Sequence, residues 1–290
     1  MWATSVVHTD DSLRWQRRLL RSCSTEVSVD SAGVKYLCER ERFSGVGEIL
    51  ASLPPGLVFL GGSSFHHLSY HLIRRCARQP LKVVVFDRHT DWLPAPAGHV
   101  SCGSWIREIV RVPGVEGVLV VGPSSTETLL SREDWEGLEG SVGGTGNPPQ
   151  AKPSSRVHWV PPRFARRELV RFCTPTSRVY VSIDKDVLAD VDTDWGAGTL
   201  RLTVLLDLLG HICGRAKLVG VDVCGELVPH GPWPSVLELA QIRQNETVNM
   251  AIWRVCFLEA RGRRSPRRRA ASSHAHWASQ QLGASLRLDQ

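Results

Sequence analysis

The chain has 290 residues and a net charge of +6, and 42% of its residues are hydrophobic and 22% charged. These proportions are typical of globular proteins and exclude a collagen-like chain, a coiled coil and a wholly disordered protein. No stretch approaches the ~18 apolar residues of a membrane-spanning helix, and the first residues lack a signal-peptide core. We therefore expect a cytoplasmic protein with no membrane partner.

The excess positive charge lies at one end of the chain. Residues 261–290 contain seven Arg and one Asp, which leaves 28 basic and 28 acidic residues in the remainder. Six of these arginines, at 261–269, flank Pro266 and have no aromatic residue among them to stack on bases, which argues against a nucleic-acid partner. We predict one domain over residues 1–260 and a disordered, basic tail over residues 261–290.

Apolar runs rich in β-branched residues predict a series of buried strands. In chain order the predicted strands lie at 56–61, 82–87, 117–122, 156–160, 178–184 and 217–223. Helical patterns lie at 67–77, 103–111, 126–137, 163–172, 200–213 and 236–258. The strands lack alternation, which is typical of strands covered on both faces, and they alternate with helices. This pattern predicts a three-layer α/β/α sandwich with a mainly parallel sheet, and the Gly-, Pro- and Ser-rich residues 139–155 predict an exposed loop.

The strand at 82–87 ends in the strongest functional signal. Asp87, His89 and Asp91 follow it at positions i, i+2 and i+4. An extended chain points alternate residues the same way, so the three side chains can converge on one point. They would repel one another at close range unless a cation neutralised them. The spacing therefore indicates a metal site at the carboxyl end of the sheet, where ligands bind in parallel α/β folds.

Two other strand ends carry groups of the same kind. Asp184 and Asp186 leave the strand at 178–184 two residues apart, and His66 and His67 follow the glycines that end the first strand. Burying a pair of carboxylates without a counter-ion is costly. Four carboxylates with two imidazoles suit two divalent ions such as Mn²⁺, whereas zinc sites prefer more His and Cys.

In these motifs and their order, the chain resembles the arginase/agmatinase (ureohydrolase) family over roughly residues 56–260. Gly61-Gly62 followed by His66 is similar to the family's GGDH motif. The segment 87–91 resembles its DAHxD motif, and the segment 182–186 resembles the start of its SxDxDxxDPxxAPGTG motif. The resemblance implies the arginase-like fold and two Mn²⁺ per chain. It implies one ion held by His66, Asp87, Asp91 and Asp184, and a second held by Asp87, His89, Asp184 and Asp186.

The same resemblance implies an activity. The chain would hydrolyse a C–N bond of a small cationic guanidino, amidino or formimino compound, and it could form a homo-oligomer. Asp91 would orient the nucleophile, His99 would move protons to the leaving amine, and Glu226 would hold the positive substrate. Trp92, Trp105 and Trp195 are candidates for the pocket wall. Cys102 and Cys224 lie near the site segments, but no His–Cys arrangement identifies a catalytic thiol.

Departures from the family pattern leave alternatives open. Phe65 stands where the family has an acid, and two extra residues follow the glycines, so His67 rivals His66 as a ligand. The family's substrate-side Glu falls on Gly225, one place before Glu226. A zinc-dependent deacetylase-like amidohydrolase, which uses a tandem His pair, is one alternative. The other is a non-catalytic member that binds only a metal or a partner.

Overall fold

The computed structural model describes residues 2–123 and 156–262, with side chains as far as residue 257. Its strands are β1 (Ala3–His8), β2 (Thr25–Ser28), β3 (Leu37–Glu39), β4 (Gly56–Phe59), β5 (Leu81–Phe86), β6 (His99–Ser101), β7 (Val115–Val121), β8 (Val157–Val160), β9 (Arg178–Asp184) and β10 (Lys217–Cys224). Its helices are α1 (Arg17–Ser22), α2 (Arg40–Ala51), α3 (Ser69–Cys76), α4 (Trp105–Ile109), α5 (Ala165–Phe172), α6 (Leu202–Arg215) and α7 (Val236–Gly262). Short 3₁₀ turns lie at Ser12–Trp15, Ser63–Leu68, Pro162–Phe164 and Lys185–Val187.

Eight of the described strands form one sheet in the order β2-β1-β4-β10-β9-β5-β7-β8. Every neighbouring pair in this sheet is parallel, whereas β3 and β6 form a separate antiparallel pair. Because all eight strands run the same way, their carboxyl ends lie along one edge. The strands β4, β10, β9 and β5 are neighbours at the centre, so the residues that follow them are brought together.

Alternate residues of the central strands belong to two separate hydrophobic cores. Val84 and Phe59 pack with α6 and α7, whereas Val83 and Val58 pack with α2, α3 and α4. The sheet is thus covered by helices on both faces, which explains why its strands are apolar without alternation. The predicted three-layer sandwich with a parallel sheet is confirmed.

All six predicted strands are present, with ends shifted by up to two residues. Five of the six predicted helices are also present, and the helix predicted at 126–137 and the loop predicted at 139–155 lie outside the described residues. The elements β1, β2, α1 and α2 were not predicted. The helix α7 runs to Gly262, slightly past the predicted domain end, and the tail from residue 263 lies outside the described residues. In the described part of the chain, no helix is both long and apolar enough to cross a bilayer.

Candidate metal centre

The carboxyl edge of the sheet gathers six His and Asp side chains into one group, in which only His89 is partly exposed. β5 continues into the segment 87–91, and β9 ends at a residue that caps the following 3₁₀ turn. A second 3₁₀ turn, after β4, supplies the remaining histidine. We call this group the carboxylate cluster, and its members are His66, Asp87, His89, Asp91, Asp184 and Asp186.

One half of the carboxylate cluster surrounds His66. Its Nδ1 atom lies 3.0 Å from Asp87 Oδ2, 3.3 Å from Asp91 Oδ2 and 3.6 Å from Asp184 Oδ2. One ligand atom from each of His66, Asp87 and Asp91 lies within 4.8 Å of the other two. The spacing of these atoms suits a single ion.

The other half surrounds His89. Its Nδ1 atom lies 2.8 Å from Asp186 Oδ2 and 3.5 Å from Asp87 Oδ1. Asp87, His89 and Asp186 also offer ligand atoms within 4.8 Å of one another. Asp87 therefore belongs to both halves, each of its carboxylate oxygens facing a different histidine. This is the arrangement expected of a carboxylate that bridges two ions.

Hydrogen bonds fix the orientation of His66. Its Nε2 atom lies 2.9 Å from Ser182 Oγ, and that hydroxyl donates to Asp222 Oδ1 at 2.8 Å. Because the only proton of the hydroxyl goes to Asp222, His66 Nε2 must be the donor to Ser182. In the neutral ring, the Nδ1 lone pair then faces the three carboxylate oxygens. A cation between them would stabilise this arrangement.

The carboxylates are held as firmly as the imidazole. Asp184 Oδ1 accepts hydrogen bonds from Ser63 Oγ at 2.7 Å and from the backbone N–H of Asp186 at 3.1 Å. Asp91 Oδ2 accepts one from Trp105 Nε1 at 2.6 Å. Asp91 also has a φ of 48°, in the left-handed region that Asp tolerates better than most residues. Such strain is concentrated at functional sites.

The electrostatics of the carboxylate cluster favour a bound cation. Burial and the charge of Asp87 raise the pKa of Asp91 to about 7, and burial with neighbouring carboxylates also raises the pKa values of Asp184 and Asp186. Burial alone would lower the pKa of His89, but contacts with Asp186 and Asp87 raise it to about 11. Among the described residues, His66 Nδ1 and Asp186 Oδ2 are buried and lie close to oppositely charged groups, but neither makes a hydrogen bond of ordinary geometry. The donor set of oxygens and imidazoles thus fits divalent ions such as Mn²⁺.

His67 lies apart from this cluster. Its ring is buried against that of Phe43, with 5.8 Å between the ring centroids. Burial, together with the charges of His66 and His71, lowers the pKa of His67 to about 3. The structure therefore brings His66 to the carboxylates in preference to its rival. The tandem histidine pair of the deacetylase-like alternative does not form, because the two rings have different surroundings.

Glu226, the acid proposed to hold the substrate, is bound by donors of the chain itself. Only 1% of its side chain is exposed, and its Oε1 atom lies 2.6 Å from Lys185 Nζ. The other oxygen, Oε2, accepts a hydrogen bond from Gln16 Nε2 at 2.6 Å. Both oxygens are thus bound to the protein's own donors. Gly225 cannot carry the missing acid either, because its φ is +85° and a Cβ atom would lie 2.5 Å from Asp184 Oδ1.

The remaining candidates differ in their contacts and in their exposure. His99 is half-buried on β6, and its Nδ1 atom donates to the carbonyl of Ala97 at 3.0 Å. Trp92 and Trp105 are buried, whereas Trp195 is 37% exposed and packs edge-on against His89 with 5.4 Å between ring centroids. Of the three tryptophans, only Trp195 therefore lies at the solvent side of the cluster.

The structure adds supporting contacts that the sequence did not reveal. Ser182 precedes Asp184 by two residues, so the period of a strand already places both on one face. Cys224 pairs in register with Asp184 on the adjacent strand, and its thiol lies within 4.8 Å of ligand atoms of Asp184 and His66. That contact depends on the order of the strands, which a single sequence does not display. Lys185 was likewise not singled out, although it stands between two candidate ligands.

Comparison with known proteins places this geometry in context. No family model matches the chain. An uncharacterized protein of Thermotoga maritima is 31% identical over 245 residues, which cover 84% of this chain and 85% of that protein. The chain belongs to the family of this Thermotoga protein. The match extends over most of both chains.

Solved structures show which fold this family has. A hypothetical agmatinase from Burkholderia thailandensis aligns with a TM-score of 0.58 and 17% identity over 89% of this chain and 86% of that chain. An arginase from Bacillus cereus aligns with a TM-score of 0.57 and 13% identity, over 89% of this chain and 98% of that chain. The formiminoglutamase of Trypanosoma cruzi, solved with Mn²⁺, aligns with a TM-score of 0.53 and 12% identity, over 86% of this chain and 94% of that chain. The arginase-like fold that the motifs implied is confirmed.

Proposed function

We propose that the chain is a hydrolase that holds two Mn²⁺ ions in the carboxylate cluster and cleaves a C–N bond of a guanidino, amidino or formimino compound. The observation that carries this proposal is the pair of ligand groups that share Asp87. Carboxylate oxygens and imidazoles suit Mn²⁺, and the similar Trypanosoma structure was solved with that ion. We assign His66 and Asp91 to one ion and His89 and Asp186 to the other, with Asp87 and Asp184 as ligands of both.

The chemistry follows from the residues around the ions. When bound, two divalent ions supply a water molecule whose pKa is lowered towards neutrality. Asp91 is proposed to orient that water, because the hydrogen bond from Trp105 Nε1 fixes its carboxylate. His99 is proposed to carry a proton to the leaving amine. Its Nδ1 atom donates to the carbonyl of Ala97, so its Nε2 atom is the basic one.

Aromatic rings at the entrance are proposed to hold the substrate in place of Glu226. Trp195 contacts the ring of His89 at 5.4 Å and that of Tyr36 at 6.0 Å. Both indole and phenol rings are partly exposed. The face of an aromatic ring attracts guanidinium and amidinium groups, so the two rings offer a cationic substrate a site beside the ions.

A substrate screen tests the proposal. The protein is reconstituted with Mn²⁺, and the release of urea or ammonia is measured over a panel of guanidino, amidino and formimino compounds. An Asp186→Ala variant is the matched control, because it removes one proposed ligand from a buried site. We expect at least one compound to release product with the native chain and not with the variant. No product from any compound, with two ions bound, would favour the non-catalytic alternative, and deacetylation with one zinc would favour the deacetylase-like one.

A further inference from the structure

A second buried polar group lies directly behind the carboxylate cluster. Lys185, which stands between the proposed ligands Asp184 and Asp186, is fully buried. Its Nζ atom lies 2.6 Å from Glu226 Oε1 and donates to Asn245 Oδ1 at 2.7 Å. The ammonium group thus joins the end of β9 to the end of β10 and to α7.

Further hydrogen bonds tie this ion pair to the rest of the fold. Asn249 Nδ2 donates to Glu226 Oε1 at 2.7 Å and to Gln16 Oε1 at 2.8 Å. Asn245 Nδ2 donates to the carbonyl of Asp192 at 3.0 Å. All five side chains of this group are at most 1% exposed. We call it the anchor network, and its members are Gln16, Lys185, Glu226, Asn245 and Asn249.

The backbone between the two groups is tightly constrained. Asp184 caps the 3₁₀ turn Lys185–Val187 by accepting the N–H of Asp186. Gly225 packs so closely on this turn that a Cβ atom would lie 2.6 Å from the backbone nitrogen of Lys185. The side chain of Lys185 extends into the anchor network, while those of its two neighbours extend into the carboxylate cluster. Movement of the lysine would therefore move both carboxylates.

A buried ion pair is weak evidence for a role in stability alone. Removing two charges from water is expensive, and apolar residues of similar volume often replace such a pair at no loss of stability. Hydrogen bonds behind a metal site, in contrast, orient its ligands, and their loss typically weakens metal binding 10–100-fold. The position of Lys185 between two ligands matches the second role.

We propose that Lys185 is a positioning residue, which holds Asp184 and Asp186 in the geometry for metal binding through its ion pair with Glu226. The inference rests on the proposed metal centre. It also gives Glu226 a role, because the acid that the sequence assigned to a cationic substrate instead binds the chain's own cation.

Paired variants separate positioning from stability. Lys185→Met alone would leave Glu226 buried and unpaired, so the informative variant is Lys185→Met/Glu226→Gln, which removes both charges. We expect it to unfold at nearly the temperature of the native chain, yet to bind Mn²⁺ at least about tenfold more weakly by isothermal titration. Glu226→Gln alone keeps an acceptor oxygen for Lys185 and should weaken binding less.

A second ion pair that also reaches α7 provides the control. Arg18 Nε lies 3.0 Å from Glu246 Oε2 and joins α1 to α7; no described contact of either side chain involves a proposed ligand. The variant Arg18→Met/Glu246→Gln should bind Mn²⁺ as the native chain does. An equal loss of affinity in this control would overturn the inference, because any disturbance of α7 would then suffice.

The outcomes distinguish this inference from the proposed function. If the native chain binds no Mn²⁺, the metal centre is wrong and the positioning role falls with it. If the native chain binds Mn²⁺ and the Lys185→Met/Glu226→Gln variant binds it equally well, the positioning role alone is wrong. If that variant does not fold, Asn245→Leu removes one acceptor of the lysine and keeps the ion pair. It should weaken binding about threefold, the effect of one modest hydrogen bond, and unchanged affinity would overturn the inference.

Discussion

Two buried polar groups lie back to back at the carboxyl edge of this sheet, and they differ in how their charges are balanced. In the anchor network, one ammonium faces one carboxylate at 2.6 Å. In the carboxylate cluster, four carboxylates face two imidazoles, and burial with mutual repulsion raises the pKa values of Asp91, Asp184 and Asp186. The first group is complete without a ligand, whereas the second needs added positive charge. This difference supports the proposed position of the ions.

The largest effect on metal binding and turnover is expected when a carboxylate of the carboxylate cluster is removed. Asp184→Ala should disturb both ions, and Asp186→Ala should mainly weaken the ion beside His89. Either change should lower turnover by orders of magnitude, because the water activated by the ions is the proposed nucleophile. Neither should unfold the chain, because each removes a carboxylate that is repelled by its neighbours. Metal content and turnover check this, with the exposed Asp207→Ala as control. Two ions and full turnover in Asp186→Ala would rule out the assignment.

The two adjacent histidines should differ sharply. His66→Ala removes the imidazole that lies within 3.6 Å of three carboxylate oxygens, so one ion should be lost. His67→Ala removes a ring that packs on Phe43, so both ions should remain while the protein loses stability. Elemental analysis of the two purified variants measures the result. The reverse pattern would contradict the alignment across the two inserted residues.

Gly225 lies where the two groups meet, so its substitution should disturb both. Gly225→Ala places a methyl group 2.5 Å from Asp184 Oδ1 at a φ of +85°. Strain and overpacking together should destabilise the fold by about 2–4 kcal/mol. Gly214→Ala is the matched control, because its Cβ would meet nothing within 4 Å. Chemical denaturation measures the free energy of unfolding of the two variants. Equal values would contradict the prediction, because the turn Lys185–Val187 would then have moved to accommodate the methyl group.

The smallest expected effect is removal of the basic tail. A chain that ends at Gly262 lacks most of the excess positive charge and none of the proposed ligands. It should fold, bind Mn²⁺ and turn over as the full chain does. Thermal unfolding and metal titration of the two chains provide the comparison. A truncated chain that failed to fold would show that the tail packs on the domain.

The sequence predicted the centre of the fold better than its periphery. The strands β5 and β9 are buried on both faces, so they are continuous apolar runs that periodicity detects. β2 is an edge strand of four residues with alternating exposure, and β1 includes the buried polar residues Thr4 and Ser5. Strands of this kind give little signal, because their burial depends on neighbours that are distant in sequence.

The same distinction applies to the carboxylate cluster and the anchor network. Asp87, His89 and Asp91 are close in sequence, so the end of a single strand brings all three to the carboxylate cluster. The ion pair of Lys185 with Glu226 joins residues 41 positions apart, and it forms only because β9 and β10 are neighbours in the sheet. A single sequence gives the types of both residues but not their pairing, which explains why the acid was assigned to a substrate.

The metal content of the protein tests the central claim most directly. The native chain is freed of metal, dialysed against excess Mn²⁺ and analysed by elemental analysis beside the Asp184→Ala variant. Our account predicts two ions per native chain, because Asp87 is shared by two complete ligand groups, and fewer in the variant. A native stoichiometry of one that excess Mn²⁺ does not change, or of none, would contradict the account.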